Sequence, residues 1–534
     1  MSVTQNKLSN NPIVSQLVSI VGVENVQDDE KARKFYSTDL SYTDGEIADV
    51  VVSPGSTGEL SQCVAAAAGL GLPVVPRGGG MSYTRGYQPE LPSSVLIDMR
   101  RMNKIIDLNT EDMYVTVEAG CTWKDLYEQL MEGDVPVRTP YFGPLSGMYA
   151  TIGGAVSQNS LFLGSGIYNT VAESVLGMKV VLANGDILQT GSAAHKNGSP
   201  FWRHFGPDLT GIFTADTGAF GIKSEITLRL IEAPSVTLFM SFGFDTIEEM
   251  LATQTVLARK RICAECYGFD PYYNSSFERQ GFTFGEGLAV LRDVVGSEGG
   301  IKGLWTSFKV ATSGKKFLRK VKYSLHMTFD SYDKDVAYKA LETAREVCLE
   351  YEGSEIDNTL PTVFRAHPFG GVRTVLLGAD GEIWLPVHGF MPLSKAVDMG
   401  SATEAYFKKH RAVMEKYNIH SSYLTCFSGT EFVIEPSIYW HDELGDFRLS
   451  LIEDDFAEKW KSIPADEEKR EVALKLRDGL RDLYDENGCC HLQLGKYYPY
   501  QELIDNEPLK NLLEDLKKVL DPDGRMNPGS LGLR

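Results

Sequence analysis

Pro76-Arg-Gly-Gly-Gly-Met-Ser-Tyr-Thr84 directly follows a short strand signal, Leu72-Pro-Val-Val75, and this junction decides the fold. Three consecutive glycines let the backbone turn sharply and point several N–H groups toward one place. Such a concave run of backbone donors, a nest, binds phosphate oxygens. Taken alone, the stretch is equally compatible with a glycine-rich turn that holds no ligand.

The segments around this loop change character along the chain. Up to about residue 230, short strand and helix signals alternate, with a capping box at Ser56-Thr-Gly-Glu59 and a hairpin signal at Asn184-Gly185. Beyond about Pro234, longer amphipathic helices at 333–352 and 394–417 alternate with strands. This second pattern predicts an antiparallel sheet with helices on one face.

Composition narrows the class of protein. A chain of 534 residues favours two large units, or one unit split by an insertion. Its net charge of −20 repels phosphate backbones, so we expect no nucleic-acid partner. We expect no signal peptide and no transmembrane segment, because no uncharged apolar run approaches about 20 residues. The eight scattered cysteines predict unpaired thiols in a reducing cytoplasm.

Two further glycine-rich runs follow, Ala150-Thr-Ile-Gly-Gly-Ala155 with Gly164-Ser-Gly166, and Asp216-Thr-Gly-Ala-Phe-Gly-Ile222. Neither matches the Gly-x-Gly-x-x-Gly fingerprint, so a Rossmann NAD site is not supported. The chain also has no Walker loop, no His-Glu-x-x-His and no Gly-x-Ser-x-Gly elbow. These absences disfavour nucleotide hydrolysis, zinc proteolysis and serine hydrolase chemistry.

The order of these segments resembles the vanillyl-alcohol oxidase and p-cresol methylhydroxylase (PCMH-type) flavoprotein family. The resemblance covers essentially the whole chain. Each matching segment alone is unspecific, so the resemblance rests on the order and spacing of the segments. Besides the loop at 76–84, the matching segments are Val95-Leu-Ile-Asp98, Val117-Glu-Ala-Gly120, Thr151-Ile-Gly-Gly154, 177–182, 208–222 and 521–529.

The resemblance implies an α+β fold in which a two-lobed FAD-binding domain carries a cap. Residues 1–235 and 470–534 would form the FAD-binding domain, and residues 236–469 would form the substrate cap. FAD is the implied cofactor, with its pyrophosphate on the nest. The residues implied to contact it are Pro76, Arg77, Gly78, Gly79, Gly80, Met81, Ser82, Tyr83, Thr151, Gly153, Gly154, Gly166, Gly221, Ile222 and Asn527.

Some members of that family attach FAD covalently. The first glycine-rich loop has Gly80-Met81 where a linking His would stand, so that bond is not available. Tyr423, in Tyr423-Leu-Thr-Cys-Phe427, is similar to a second attachment point in the cap, and His420 is a weaker candidate. The preferred interpretation of Tyr423 is a half-buried strand aromatic.

The reaction class requires a group that removes or holds a proton. A carbon gives up hydride only when its oxygen loses a proton or is already ionised. His491 and Lys496 are candidate catalytic groups, and Tyr497 and Tyr498 follow them in the same segment. A purely structural His491 is an equal alternative. Tyr83 or Tyr87 could meet an aromatic ring of the substrate.

Several functions stay open. The main hypothesis is oxidation of an activated alcohol, benzylic or allylic, or of a phenolic-type substrate. Phenol-oxidising members of the family have a Tyr-Arg pair in the C-terminal segment, where this chain has Leu492-Gln493 or Lys496-Tyr497. This difference puts para-substituted phenols in doubt as substrates. A second is dehydrogenation of a D-2-hydroxy acid, with Arg365, Arg373 or Lys496 binding the carboxylate. A third is flavin binding without catalysis.

Partners and metals follow from the same resemblance. Electrons would pass to O2 or to a redox protein or quinone, and a homodimer is possible. No metal is predicted, because the family's metal-binding motifs are missing and His388-Gly389 is too isolated to count as a ligand set.

Overall fold

A computed structural model describes residues 11–43, 45–133, 136–279, 321–370 and 372–534. The first ten residues of the predicted 1–235 segment and residues 280–320 of the predicted cap lie outside these ranges. Within the described ranges, the fold is mixed helix and sheet, as the sequence predicts, with two lobes and an antiparallel-sheet unit.

The first lobe is a four-stranded sheet of β1 (Val26–Gln27), β2 (Val50–Val52), β3 (Val74–Arg77) and β4 (Val95–Asp98). The strand order is β1-β2-β4-β3, and β2, β4 and β3 run parallel. Every residue of these three parallel strands is buried, which is why they read as continuous valine-rich runs. The glycine-rich loop leaves the carboxyl end of β3.

The second lobe is an antiparallel sheet in the order β5-β6-β10-β8-β9. The hairpin predicted at Asn184-Gly185 joins β8 to β9, and Gly185 has a φ of +90° that suits glycine. A small pair, β7 and β11, lies beside it. The strands are β5 (Ile105–Asn109), β6 (Tyr114–Glu118), β7 (Val137–Arg138), β8 (Val175–Val181), β9 (Ile187–Gln189), β10 (Ile222–Arg229) and β11 (Ile231–Glu232).

The cap is an eight-stranded antiparallel sheet that begins at Val236. Its order is β15-β12-β14-β13-β18-β19-β16, and β17 also pairs with β19. The strands are β12 (Val236–Phe244), β13 (Glu265–Phe269), β14 (Tyr323–Ser331), β15 (Ser354–Ile356), β16 (Ile383–Pro386), β17 (Gly389–Pro392), β18 (His420–Ser428) and β19 (Glu431–Trp440).

Helices cover both units. In the cap, three long helices pack their apolar sides on one face of the sheet, as predicted, and the other face packs against Leu161 and Phe162 of the lobes. No helix in the described ranges is both long and apolar enough to cross a membrane. The α-helices are Pro12–Val21, Glu30–Tyr36, Thr57–Gly69, Trp123–Met131, Ile152–Gln158, Ser165–Tyr168, Ile247–Lys260, Pro271–Arg279, Lys334–Glu350, Thr359–Ala366, Arg373–Leu376, Ala396–Tyr417, Gly445–Leu449, Asp454–Trp460, Glu467–Glu486, Tyr500–Leu503 and Glu507–Leu520.

The C-terminal segment returns to the first lobe. Met526 forms a parallel bridge with Val74, and the Asn527 N–H donates to the Val74 carbonyl at 2.9 Å. The buried Lys517 donates from Nζ to the carbonyls of Ala219 and Met526. These bonds extend the free edge of β3 and fasten the tail beneath the glycine-rich loop.

A buried ion network joins the lobes to the cap. Arg138 of β7 meets Asp330 of β14 at 2.9 Å, and Arg365 meets both Asp330, at 3.0 Å, and Glu265, at 2.6 Å. Burial alone would raise the pKa of Asp330, but Arg365 and then Arg138 outweigh it and hold the pKa below its usual range. The network therefore stabilises the ionised carboxylate.

Replacing Arg138 by Met should lower the free energy of unfolding by about 3 kcal/mol, because Asp330 then keeps Arg365 as its one cationic partner among the described residues. The matched control is Arg345→Met, at a half-exposed ion pair, which should cost less than about 1 kcal/mol. Denaturant titration measures both values. Equal losses in the two variants would contradict the role given to the network.

The Arg138→Met loss should depend on pH in a defined direction. The depressed pKa of Asp330 contributes stability above the unfolded-state value of about 3.9, and that contribution is lost as pH falls through the folded value. The gap between wild type and variant should therefore narrow below about pH 4.

Candidate active site

The two glycine-rich turns touch each other backbone to backbone. A Cβ added at Gly78 would lie under 3.0 Å from Oγ1 of Thr151, and one added at Gly79 would lie under 3.0 Å from the Tyr149 carbonyl. Gly80 has a φ of +75°, a conformation that glycine adopts without strain. No side chain therefore fits in this part of the loop.

Two cavities meet at this contact. The larger, about 1160 Å³ including space open to solvent, lies between the loop and the cap sheet. The smaller, about 350 Å³, lies on the lobe side of the loop. Four residues line both cavities, namely Gly78, Tyr87, Thr151 and Gly154. The two cavities therefore adjoin along the glycine-rich loop and the start of helix Ile152–Gln158.

Charges and unpaired polar atoms mark the smaller cavity as a ligand site. Arg77 and Lys223 line it, and Lys223 forms a buried ion pair with Asp216. Burial raises the pKa of Asp216 and lowers that of Lys223. Buried atoms without a hydrogen-bond partner, costly unless a ligand satisfies them, lie along the joined space: Arg77 Nε, Tyr87 Oη and both amide atoms of Gln158. The residues present therefore fit FAD.

Most residues implied to contact FAD line one of the two cavities. They come from β3, from the loop after it, from the start of helix Ile152–Gln158 and from the start of β10. They are Pro76, Arg77, Gly78, Gly79, Gly80, Met81, Ser82, Tyr83, Thr151, Gly153, Gly154, Gly221 and Ile222.

Gly166 and Asn527 line neither of the two cavities, so their contact with FAD stays a prediction. Gly166 packs against the cap, where its N–H donates to the Ala264 carbonyl at 2.9 Å and a Cβ would collide with the Cys263 carbonyl. Asn527 does return to the flavin lobe, but its amide donates to the carbonyls of Gly86 and Thr217, at 2.9 and 2.7 Å. Both residues hold the walls of the site in place.

Tyr423 also faces away from the cavity. Alternate residues of a strand point to opposite faces, so Leu424 and Cys426 line the larger cavity while Tyr423 points to the helix-covered face. There its hydroxyl donates to Oε1 of Glu404 at 2.7 Å. Tyr423 is therefore a buried strand aromatic, and the geometry does not bring it to the cofactor cavity. His420 lies at the far start of the same strand and stacks on Tyr272.

The larger cavity contains a polar triplet among apolar walls. His388 Nε2 lies 2.5 Å from the Tyr83 hydroxyl and 3.0 Å from Oε2 of Glu435. His388 Nδ1 is buried and has no partner. Burial, and then the Glu435 charge, raise the pKa of Tyr83 well above its usual value, so its hydroxyl stays protonated. Trp384 and Tyr273 line the same space.

His388 is held by the C-terminal segment. Its backbone N–H donates to the Tyr498 hydroxyl at 3.0 Å, and His491 Nδ1 donates to its carbonyl at 2.7 Å. A bridge between Phe390 and Cys490 fixes the two segments side by side. Sequence reasoning set His388 aside as isolated, because its partners come from residues about 50 to 300 positions away.

The other three predicted catalytic residues do not line the cavity. His491 Nε2 bonds to Asp485 and its ring stacks on Tyr498. Lys496 donates to the Gln88 carbonyl, and burial lowers its pKa to about 7. The Tyr497 hydroxyl donates to Asp478 at 2.9 Å. Of the four predicted catalytic residues, only Tyr83 lies in the cavity.

The cavity charge is set by one carboxylate. Among the described residues that line the larger cavity there is no Lys or Arg, and Glu435 is the acidic residue. Arg365 is paired in the lobe–cap network, and Arg373 pairs with Glu453 at 3.0 Å. The three cations considered for a substrate carboxylate, including Lys496, are therefore engaged outside the cavity. The described residues also contain no group of three or more possible metal ligands.

Comparisons with known proteins agree with this geometry. A family model described as an FAD binding domain matches residues 48–191. Glycolate oxidase subunit GlcD of Bacillus subtilis is 31% identical over 244 residues, covering 46% of this chain and 49% of that protein. A mitochondrial D-lactate dehydrogenase [cytochrome] of Arabidopsis thaliana is 33% identical over 240 residues, covering 44% and 40%. The chain thus spans about half the length of these curated relatives or less.

Solved structures match over nearly the whole chain. Substrate-bound p-cresol methylhydroxylase covers 98% of this chain and 96% of its own, with a TM-score of 0.71 and 16% identity. An alkyldihydroxyacetonephosphate synthase covers 99% and 87%, with a TM-score of 0.67 and 16% identity. At such identity the likeness concerns the fold.

Residues 48–191 thus match an FAD binding domain, and the fold of the chain is similar to that of p-cresol methylhydroxylase, as the ordered segments of the sequence indicated. The domain match supports FAD as the cofactor of this chain.

Replacing Gly79 by Ala should reduce bound FAD at least tenfold, because the new Cβ would push the loop away from the Tyr149 carbonyl. The ratio of flavin to protein absorbance after gel filtration measures this. Gly69→Ala is the matched control, since nothing lies within 4 Å of a Cβ there, and it should keep full FAD content. Full occupancy in Gly79→Ala would contradict the close contact.

Proposed function

We propose that this protein oxidises a neutral, activated alcohol, benzylic or allylic, by hydride transfer to FAD. The observation that carries the proposal is the buried triplet of Tyr83, His388 and Glu435 beside aromatic and aliphatic side chains, with no Lys or Arg among the described residues that line the cavity. An apolar cavity with few converging polar groups is typical of a small-molecule site.

The cofactor is held, in this proposal, by the two glycine-rich turns. The nest at 78–82 binds the pyrophosphate, and Thr151, Gly153 and Gly154 bind along the ribityl portion. Gly221 and Ile222 contact the adenine end in the smaller cavity. Residues 1–235 and 470–534 then act as the FAD-binding domain, with 236–469 as the cap that closes over the ring.

When bound, FAD supplies the acceptor for the substrate hydride. In this proposal Glu435, 3.0 Å from Nε2, orients the His388 ring, and His388 takes the proton of the substrate hydroxyl. Tyr83 stays protonated and donates to the substrate oxygen as negative charge develops there.

Charge selects the substrate in this proposal. Glu435 repels a carboxylate, and the cations that could offset it are engaged elsewhere. An alcohol without a formal charge needs no such partner, and the walls formed by Trp384, Leu424 and Val433 suit an aromatic or unsaturated group.

A second candidate is oxidation of a D-2-hydroxy acid. The names of two relatives, glycolate oxidase and D-lactate dehydrogenase, favour it. These two relatives match 46% and 44% of this chain, and the family model lies within residues 48–191, outside the cap. The substrate preference is therefore inferred from the cap residues that line the cavity of this chain.

The proposed function also includes an electron acceptor and a cellular compartment. The acceptor is O2 or a redox protein or quinone, and the protein works in the cytoplasm. All eight cysteines are free thiols in the structure and seven of them are buried, which supports a reducing compartment.

The first experiment is anaerobic mixing of the flavin-loaded protein with a panel of aryl and allylic alcohols and with D-lactate and glycolate, followed by flavin absorbance. We expect the alcohols to bleach the flavin band and the acids to leave it unchanged. Bleaching by the acids alone would favour the second candidate. A flavin that no substrate reduces would leave only a flavin-binding role.

Replacing His388 by Gln should slow flavin reduction by a reactive alcohol about 10²–10⁴-fold, because the proton acceptor is removed. FAD content should not change, since this side chain lies on the cap side of the cavity. Stopped-flow reduction rates measure the effect. Tyr497→Phe, outside the cavity, is the control and should react at the wild-type rate; a similar loss there would refute the assignment.

A further inference from the structure

A buried arginine joins the two chain segments that carry Tyr83 and His388. Arg477 lies on helix Glu467–Glu486 and is 1% exposed. Its Nη2 donates to the Tyr83 carbonyl at 2.7 Å, and its Nε donates to the Pro386 carbonyl at 3.1 Å. Tyr83 belongs to the glycine-rich loop, whereas Pro386 ends β16 two residues before His388. One guanidinium therefore contacts the backbone on both sides of the boundary between the first lobe and the cap.

The shape of the guanidinium makes this connection rigid. Its N–H groups belong to one planar group, so the spacing of the two carbonyls that it binds is fixed. The Tyr83 hydroxyl and Nε2 of His388 lie 2.5 Å apart across the same boundary. A hydrogen bond weakens steeply as its distance and angle change. Arg477 therefore fixes the relative position of the two segments on which the contact between Tyr83 and His388 depends.

The same helix also supports the residue that follows His388. Tyr484 lies seven positions after Arg477, which is about two helical turns, so both side chains leave one face of the helix. A Cβ added at Gly389 would lie under 3.0 Å from the Tyr484 ring. The Tyr484 hydroxyl is in turn 2.9 Å from the Thr403 hydroxyl. The helix therefore holds the backbone on both sides of His388.

Stability alone does not account for the placement of Arg477. Its Nη1 is buried without a hydrogen-bond partner, and no carboxylate pairs with Arg477 in the part of the chain that the structure describes. The Tyr497 ring, 3.7 Å from the guanidinium carbon, offsets part of this cost, and the Tyr497→Phe control keeps that ring. A buried cation with an unsatisfied donor still costs free energy, and such costs are expected at functional sites.

We propose that Arg477 is a positioning residue for the oxidation, holding the glycine-rich loop and the end of β16 at the spacing that brings the Tyr83 hydroxyl and the His388 ring together. This role rests on the proposed function, which gives the two groups their tasks. Arg477 is not among the residues that line the larger cavity, so it acts through Tyr83 and His388 rather than on the substrate. Its loss should therefore slow the reaction and leave substrate binding unchanged.

Anaerobic stopped-flow reduction of the FAD-loaded protein, over a concentration series of an alcohol that reduces the wild type, tests the proposal. Arg477→Lys keeps the positive charge but replaces the planar fork by a single ammonium. We expect the limiting rate constant to fall about 10–10²-fold and the substrate dissociation constant to stay within about twofold of wild type. Arg477→Gln, which buries no charge, should show the same result and guards against a folding defect of one variant.

A second measurement distinguishes positioning from a general structural role. Tyr83→Phe removes the hydroxyl that meets His388, so Arg477 then has no such contact to maintain. Arg477→Lys/Tyr83→Phe should be reduced at a rate within about threefold of that of Tyr83→Phe alone. A structural role would instead multiply the two losses. The ratio of flavin to protein absorbance shows that each variant is folded and loaded.

Arg448 provides a matched control. It is 5% exposed, and its Nη2 donates to the Leu40 carbonyl at 2.7 Å, away from the contact between Tyr83 and His388. Arg448→Lys should be reduced at the wild-type rate.

Three results would overturn the positioning role alone, in a wild type that alcohols do reduce: Arg477→Lys and Arg477→Gln that react at the wild-type rate or change only the dissociation constant, losses that multiply in the double variant, or an equal loss in the control. A flavin-loaded wild type that no alcohol reduces would refute the proposed function, and the role of Arg477 with it.

Discussion

The close backbone contact between two turns underlies this structure. Gly79 lies against the Tyr149 carbonyl, and Gly78 lies against Thr151 at the start of a helix, with no room for a Cβ at either glycine. The contact closes the gap between two lobes of different sheet type and leaves backbone N–H groups free to face a ligand. The same backbone contact thus shapes the cofactor loop and packs the two lobes together, so a substitution at either glycine affects both.

The cap uses strand alternation to separate two environments. Along β18, one set of side chains packs under helices, and the other set faces the cavity. A single strand therefore contributes to a dry core and to a site wall at once. The same alternation on β19 brings Val433 and Glu435 into the cavity while Phe432 and Ile434 join the core. Substrate preference can change on one face without disturbing the packing on the other.

Sequence patterns predicted the fold well, and the residues predicted for the cofactor loop line the two cavities. The glycine runs, the hairpin at Asn184-Gly185 and the change in helix and strand pattern near Pro234 are local signals. Such signals can be recognised in a single sequence. The proposed proton acceptor, His388, could not be found that way. His388 acquires its significance from Tyr83, Glu435 and Tyr498, which are distant in sequence. His491 lay in the right segment, but it holds the backbone of His388 rather than the substrate.

Tyr423 and Asn527 show a second limit. A one-residue shift along a strand reverses the face of every side chain, so a segment can match a family while the chosen residue points away. Asn527 reaches the correct lobe, but only the three-dimensional contacts show that its amide bonds to Gly86 and Thr217. The position of a residue in the sequence predicts which part of the structure it lies in, whereas the direction of its side chain is known only from the three-dimensional structure.

The return of the tail to β3 has a consequence for biosynthesis. Arg525 donates to the Ala68 carbonyl across 457 residues of chain, and the Val74–Met526 bridge lies beside it. On the ribosome, the first lobe emerges long before the segment that covers its edge, and the cap emerges between them. The cap can therefore fold while the cofactor lobe still waits for its last strand-like segment. Newly made chains would pass through a stage with an open sheet edge, which is the stage most exposed to misassembly and most dependent on chaperones.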